Sequence, residues 1–229
     1  MKKFVFTLLI LVFGLPIMAQ NSTDTLRKEV LLETDMGNIR VVLYNETPLH
    51  RDNFVRLVKS GYYNGTLFHR VIANFMIQGG DSTSRHAKSG EVTGLSSPNY
   101  TLPAEIVFPK YFHKRGALAA AREGDNINPK RESSSAQFYI VYGRRMTDYQ
   151  LDAVQIQLDK ETDSTVKLTP EIRESYYRIG GTPHLDGQYT VFGEVVEGLD
   201  VVDRIQITET DERNRPIKDV RIIRAKIVR

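Results

Sequence analysis

The sequence predicts an all-β barrel or sandwich capped by helices. Three observations predict it. Short runs rich in β-branched and aromatic residues recur along the chain, and Gly, Pro and Asn punctuate the gaps between them. Two amphipathic stretches of helical period stand among these runs. The length, 229 residues, suits one domain with a substantial core.

The first twenty residues are set apart from the fold. Lys2 and Lys3 precede a nearly unbroken apolar run over 4–13, and 16–20 offers a cleavage site at Ala19 or Gln20. This is the pattern of a signal peptide, so the chain is expected to be exported, periplasmic or secreted. The apolar run is shorter than the roughly 20 residues that cross a bilayer. Residues 21–27 are polar and read as a flexible start, and 28–229 as the folded domain.

Order is expected to begin with a hairpin, 30–34 and 38–44, joined across Asp35-Met36-Gly37. Thr47 and Pro48 then supply an N-cap and a first helical position. Leu49, Phe54, Val55, Leu57 and Val58 form one apolar stripe, and Gly61 stops the helix. A strand follows at Phe68-His69-Arg70-Val71-Ile72, where simple alternation puts His69, Val71 and Ala73 on one face and Phe68, Arg70 and Ile72 on the other. Phe75, Met76 and Gln78 come next, and Gly79-Gly80 makes a tight bend. Residues 82–103 lack periodicity and read as a long surface loop. Short strands are expected at 104–107, 117–122, 137–142 and 190–196, a brief amphipathic helix at 199–205 and a last strand at 220–228.

Composition excludes several chemistries. Without Lys2 and Lys3, 29 basic residues face 28 acidic ones, so the mature chain carries about +1 and no dense basic stripe suited to nucleic acid. Zero cysteines exclude disulfides and thiolate chemistry. His50, His69, His86, His113 and His184 are separated by 19, 17, 27 and 71 residues, without the close spacing of a metal site. Ser133-Ser134-Ser135 lacks the Gly-x-Ser-x-Gly elbow, and Gly79-Gly80 lacks the surroundings of a phosphate loop.

One run carries the positive signal. Residues 68–81, FHRVIANFMIQGGD, set a permanent cation among apolar side chains on extended backbone. That combination suits binding a neutral, apolar group beside a polarisable amide. The order FHRVI, two residues, FMIQGGD resembles the signature of the cyclophilin-type peptidyl-prolyl isomerases. Gln137-Phe138-Tyr139-Ile140 is similar to the family's Gln-Phe-aromatic strand, and 185–195, LDGQYTVFGEV, to its Leu-Asp-Gly to Val-Phe-Gly block. The resemblance spans residues 28–229.

The resemblance implies a closed eight-stranded antiparallel barrel with two capping α-helices, interrupted by a helical insertion at 144–180. It also implies catalysis of rotation about X-Pro bonds, assisting the folding of exported proteins. The partners would be proline-containing segments of client chains. Such rotation breaks no covalent bond, so neither a cofactor nor a metal is required. Arg70 would be the catalytic donor, with Gln78 bracing it or contacting the substrate backbone. Phe75, Met76, Tyr139 and Leu185 would line the proline pocket. Ala121 and Arg122 would grip the residue before proline, mainly through backbone groups, Tyr189 would keep a ring wall, and Gln137 and His184 would also bind substrate. A proline-recognising module or holdase with weak isomerase activity is the alternative.

Four departures from the family pattern carry consequences. Arg122 stands for Asn, which leaves a backbone role and favours acidic residues in the substrate. Tyr139 stands for Phe, adding a hydroxyl to the pocket. His184 stands for Trp, so cyclosporin is expected to bind weakly. Tyr189 stands for His and keeps a ring wall with a polar tip. Within 144–180 two helices are expected, one from Thr147 or Asp148 with Leu151, Val154 and Leu158, the other from Thr169-Pro170-Glu171 with Ile172, Tyr176 and Ile179 on one side. The pair reads as a surface hairpin or as a lid beside the site. Residues 126–132 form a smaller expansion flanking the same groove.

Overall fold

The computed structural model describes residues 26–229. The expected signal peptide at 1–20, and all of the expected flexible start except Leu26 and Arg27, lie outside the described residues. Arg27 itself is held, its guanidinium 4.9 Å from the centre of the Tyr44 ring and donating to the Tyr111 hydroxyl. Among the described residues no helix is long and apolar enough to cross a membrane.

In chain order the elements are β1 (Glu29–Thr34), β2 (Gly37–Leu43), α1 (Pro48–Lys59), β3 (Phe68–Ile72), β4 (Met76–Gly79), β5 (Thr101–Leu102), β6 (Ala117–Ala120), β7 (Ser133–Ser134), β8 (Phe138–Val141), α2 (Asp148–Glu161), α3 (Pro170–Arg178), β9 (Val191–Glu197), α4 (Leu199–Gln206) and β10 (Ile222–Ile227). Eight strands form one antiparallel sheet in the order β10-β1-β2-β9-β6-β8-β4-β3, and β5 pairs separately with β7. The sheet curls, but it does not close into the expected barrel. Among the described residues its edge strands β3 and β10 share no ladder; the segments leading into them are joined by the bridge between Leu67 and Arg221, and the Gly65 N–H donates to the Ile222 carbonyl. Beyond Phe68 the free edge of β3 turns to another partner, with the Val71 N–H donating to the Asn214 carbonyl.

Alternation along the strands sorts two apolar faces. Leu32, Ile39, Val41, Ile77, Leu118, Phe138 and Ile140 point into the curl, where Phe54, Leu57 and Val58 of α1 and Val201, Val202 and Ile205 of α4 cover them. The opposite face carries Met76, Ala117, Ala119, Tyr139 and Val141, with Phe75, Leu185 and Tyr189 packed against it. Most of the side chains expected to form the site stand on this second face.

Strand β3 departs from simple alternation. A bulge at His69 lets Phe68 pair with Gly79 and Arg70 with Gln78. The extra residue flips the face, so Phe68 joins Val71 in the inner core while Arg70 and Ile72 turn to the second face. The expected grouping of Phe68 with Arg70 is therefore corrected. Gly80 makes the bend that sequence reading assigned to Gly79-Gly80: its φ is +104°, and a Cβ there would lie 2.2 Å from the Ala136 carbonyl oxygen.

Two more expectations change together. Residues 104–107 are not a strand. Glu105 instead caps α1, accepting from the Leu49 N–H at 3.0 Å and the His50 N–H at 2.9 Å. Thr47 precedes Pro48 as expected, yet its hydroxyl turns back to the Tyr44 carbonyl and makes no cap bond. The 82–103 loop is also less bare than expected, opening with a 3-10 turn at Ser82–His86 and ending in β5.

Both expected helices of 144–180 form. Thr147 and Gln150 build a reciprocal capping box at the start of α2, and the Thr169 hydroxyl caps α3. Leu151, Leu158, Val166, Leu168, Ile172 and Tyr176 make a third buried cluster with Phe108 and Phe112. Ile179 is exposed, contrary to its expected place on the buried side. Past α3 the chain is pinned to its neighbours at Gly181, which bridges both Lys114 and Arg144. A Cβ on Gly181 would lie 2.3 Å from the His113 carbonyl oxygen, so the close approach requires glycine.

Candidate active site

The second face of the sheet hollows into a cavity of about 280 Å³. Arg70, Phe75, Met76, Gln78, Ala121, Arg122, Tyr139, Leu185 and Tyr189 line it. These come from β3, β4, the end of β6, β8 and the 185–189 turn, so side chains 119 positions apart in sequence meet in one hollow. Nine of the eleven expected site residues stand there together. The remaining two flank it. Gln137 lines an adjoining cavity of about 850 Å³ that shares Gln78, Ala121 and Arg122. His184 stacks on Phe75, with ring centres 5.6 Å apart, and does not line the hollow.

Arg70 is half-buried, and burial draws its pKa down from the usual guanidinium value. A guanidinium keeps its charge through such a shift. Its Nη1 donates to Gln78 Oε1 at 3.1 Å, the one side-chain hydrogen bond Arg70 makes among the described residues. Gln78 Nε2 donates to Gln137 Oε1 at 3.0 Å, and Gln137 Nε2 to the Gly94 carbonyl at 2.9 Å. The cation is thus braced from one side by two amides and a loop, while its other N–H donors remain for a group entering the hollow.

The loop that receives this brace is fixed in turn. Asp81, fully buried, accepts from the Thr83 N–H and hydroxyl and from the Gly94 N–H at 2.6 Å. Asp81 stands in the signature run, but sequence reading gave it no part.

Arg122 is placed differently from expectation. Its side chain is 3% exposed, paired with Asp125 at 2.6 Å, donating to the Gln188 and Glu123 carbonyls, and stacked 4.3 Å from the Tyr189 ring centre. The charge expected to favour acidic substrate residues is already committed to Asp125. The 126–132 expansion does flank the adjoining cavity, through Ile127, Asn128 and Glu132.

The Tyr139 hydroxyl, expected to be added to the pocket, meets a buried partner, His113 Nε2 at 3.0 Å. Burial pushes this phenol far up, so it stays protonated. His113 and its partner Asp186 were missed by sequence reading, because a buried imidazole has no spacing signal and Asp186 was quoted only as part of a motif. Among the described residues no group of three or more His, Asp or Glu gathers as for a metal ion.

Comparison with known proteins agrees with this geometry. The family model described as cyclophilin type peptidyl-prolyl cis-trans isomerase/CLD matches residues 29–227. Peptidyl-prolyl cis-trans isomerase-like 1 of Aspergillus fumigatus is 32% identical over 202 residues, spanning 87% of this chain and 95% of its own. The crystal structure of a cyclophilin type peptidyl-prolyl cis-trans isomerase of Cryptosporidium parvum superposes with a TM-score of 0.62 and 25% identity, covering 89% of this chain and 99% of that one. A second structure of that protein, in the presence of the dipeptide Ala-Pro, gives 0.60 at 25% identity, covering 88% and 99%.

Proposed function

Because the chain belongs to the cyclophilin-type peptidyl-prolyl cis-trans isomerases and is an isomerase of X-Pro bonds, we propose that Arg70 is its catalytic donor and the hollow beside it the proline pocket. The barrier to be lowered is about 18–20 kcal/mol and comes from C–N double-bond character. Twisting the amide ends that conjugation and returns the lone pair to the prolyl nitrogen, which becomes a hydrogen-bond acceptor. A donor waiting at that nitrogen stabilises the twisted state more than either planar isomer.

The chain's own residues divide the work accordingly. Phe75, Met76, Tyr139 and Leu185 give the pyrrolidine ring an apolar seat. Gln78 and Gln137 hold the guanidinium at the rim, which lowers the cost of orienting it during the reaction. Residues preceding proline would lie along Gln137, Ala121 and the edge of Arg122, and Tyr189 with the stacked His184 would form the far wall. Clients would be proline-containing segments of unfolded chains. The leader-like pattern of residues 1–20 supports an exported site of action, with 144–180 as an insertion in the domain.

The observation that carries this reading is a braced, half-buried cation with unspent donors on the rim of an apolar hollow. Holding proline alone needs only the apolar walls. The test is protease-free exchange spectroscopy on a short Ala-Pro peptide. Arg70→Ala is expected to fold as the parent does and to lose about 100-fold or more of the acceleration, as when a fixed transition-state donor is removed. Parent-level turnover by that variant would falsify the assignment.

A further inference from the structure

A buried hydrogen-bonded chain joins the proline hollow to α3. The Tyr139 ring, 5% exposed, lines the hollow, and its hydroxyl meets His113 Nε2 at 3.0 Å. His113 is 1% exposed, and both its main-chain N–H and its Nδ1 lie on Asp186 Oδ1, at 2.8 and 2.9 Å. The other carboxylate oxygen, Oδ2, accepts from the Tyr176 hydroxyl at 2.6 Å. Asp186 and Tyr176 are both fully buried.

The chemistry gives this chain a direction. A carboxylate only accepts, so its contact with Nδ1 places a proton on that nitrogen, and the Tyr139 hydroxyl meets Nε2 on the other side of the ring. Burial foremost, and the Asp186 charge beside them, push both phenols far up, which keeps them donors. Each hydroxyl and ring nitrogen in the series then has its partner. Among the described residues only the Tyr176 hydroxyl donates to Oδ2, so the far end of the carboxylate is held by α3.

We propose that Tyr176 is a positioning residue for the proline hollow, acting through Asp186 and His113 to hold the Tyr139 ring. The inference rests on the reading that Tyr139 lines the substrate pocket, and goes beyond it in giving the helical pair a part in the reaction. Tyr176 is well placed to transmit a fixed geometry. Its ring packs edge-on against Phe112 with centres 5.5 Å apart, and just past α3 the Thr182 N–H donates to the His113 carbonyl at 2.9 Å. Without the Tyr176 hydroxyl, the buried Oδ2 loses its donor and the carboxylate is held through Oδ1 alone, which loosens the set of His113 and, through it, of the Tyr139 ring.

The test is a double-mutant cycle on peptide exchange, with the Tyr139 ring watched by NMR. Tyr176→Phe is expected to lower kcat/KM about fivefold and to quicken Tyr139 ring flips, while in a Tyr139→Phe background it changes kcat/KM by less than about 1.5-fold. Tyr177→Phe, on the exposed side of the same helix, leaves both readouts unchanged. An equal loss in both backgrounds overturns the proposal, because the effect then bypasses Tyr139, and so does an unchanged Tyr176→Phe. If Tyr176→Phe fails to fold, Asp186→Asn is put through the same cycle with the same two outcomes. Arg70→Ala, measured alongside, separates the two claims: turnover retained by that variant sinks the catalytic reading, whereas ring mobility reports the coupling by itself.

Discussion

His69 occupies the bulge that turns Arg70 outward, and its imidazole is 4% exposed beneath Gly94. Burial lowers its pKa to about 4, against the opposing pull of Asp81 and Gln137. An unfolded chain takes up that proton near pH 6.5, whereas the folded one resists it until about pH 4. Between those values the unfolded state binds more protons, so stability is full above about pH 6.5 and falls as the pH drops through this window. The loss from this one group amounts to about 3 kcal/mol at most. His50 and His184, also lowered chiefly by burial, act in the same sense. Urea midpoints are expected to fall between pH 6.5 and 4.5, and His69→Gln to flatten part of that slope. An identical slope in the variant would remove His69 from the account.

At the scale of elements, α1 depends on a residue that lies far away in the chain. Glu105 answers two of the helix's orphan N–H groups and also meets His50 Nδ1 at 2.7 Å. Glu105→Ala is expected to cost about 1–2 kcal/mol, as for loss of a helix cap, and to lower Tm by about 2–8 °C for a domain of this size. Calorimetry checks it, and an unchanged Tm would show that water caps the helix equally well. The start of α1 at Pro48 was readable from Thr47-Pro48, but the capping group was not, since no local pattern announces a partner 55 residues on. The same division runs through the site. Met76 and Gln78 on β4, and Tyr139 on β8, follow from period-two alternation and were readable with their motifs. The bulge at His69 was not, because it depends on how Phe68 and Arg70 pair with β4. Closure of the sheet was likewise a property of two edges, and the Asn214 loop takes the place that β10 would need.

Across the whole molecule, 144–180 is packed against the rest of the fold. Its buried residues share one cluster with Phe108 and Phe112, which lie outside the segment, and Arg131 of the 126–132 expansion donates to the Glu161 carbonyl. Gln188 Nε2 donates to Glu161 Oε2, so the end of α2 also braces the turn that carries Tyr189. Replacing 145–179 by a short Gly-Ser link would uncover both phenylalanine rings and leave Asp186 without its Tyr176 partner. Uncovering two large apolar side chains costs about 3 kcal/mol or more, which lowers Tm by about 6–12 °C at this size. The shortened chain is therefore expected to melt earlier and to turn over even a short Ala-Pro peptide more slowly, because the floor of the hollow loses its support. Thermal melting and exchange spectroscopy on the same preparation decide it. Parent-like melting with parent-like peptide turnover would mean that the helical pair rides on the surface, and that only large clients sense it.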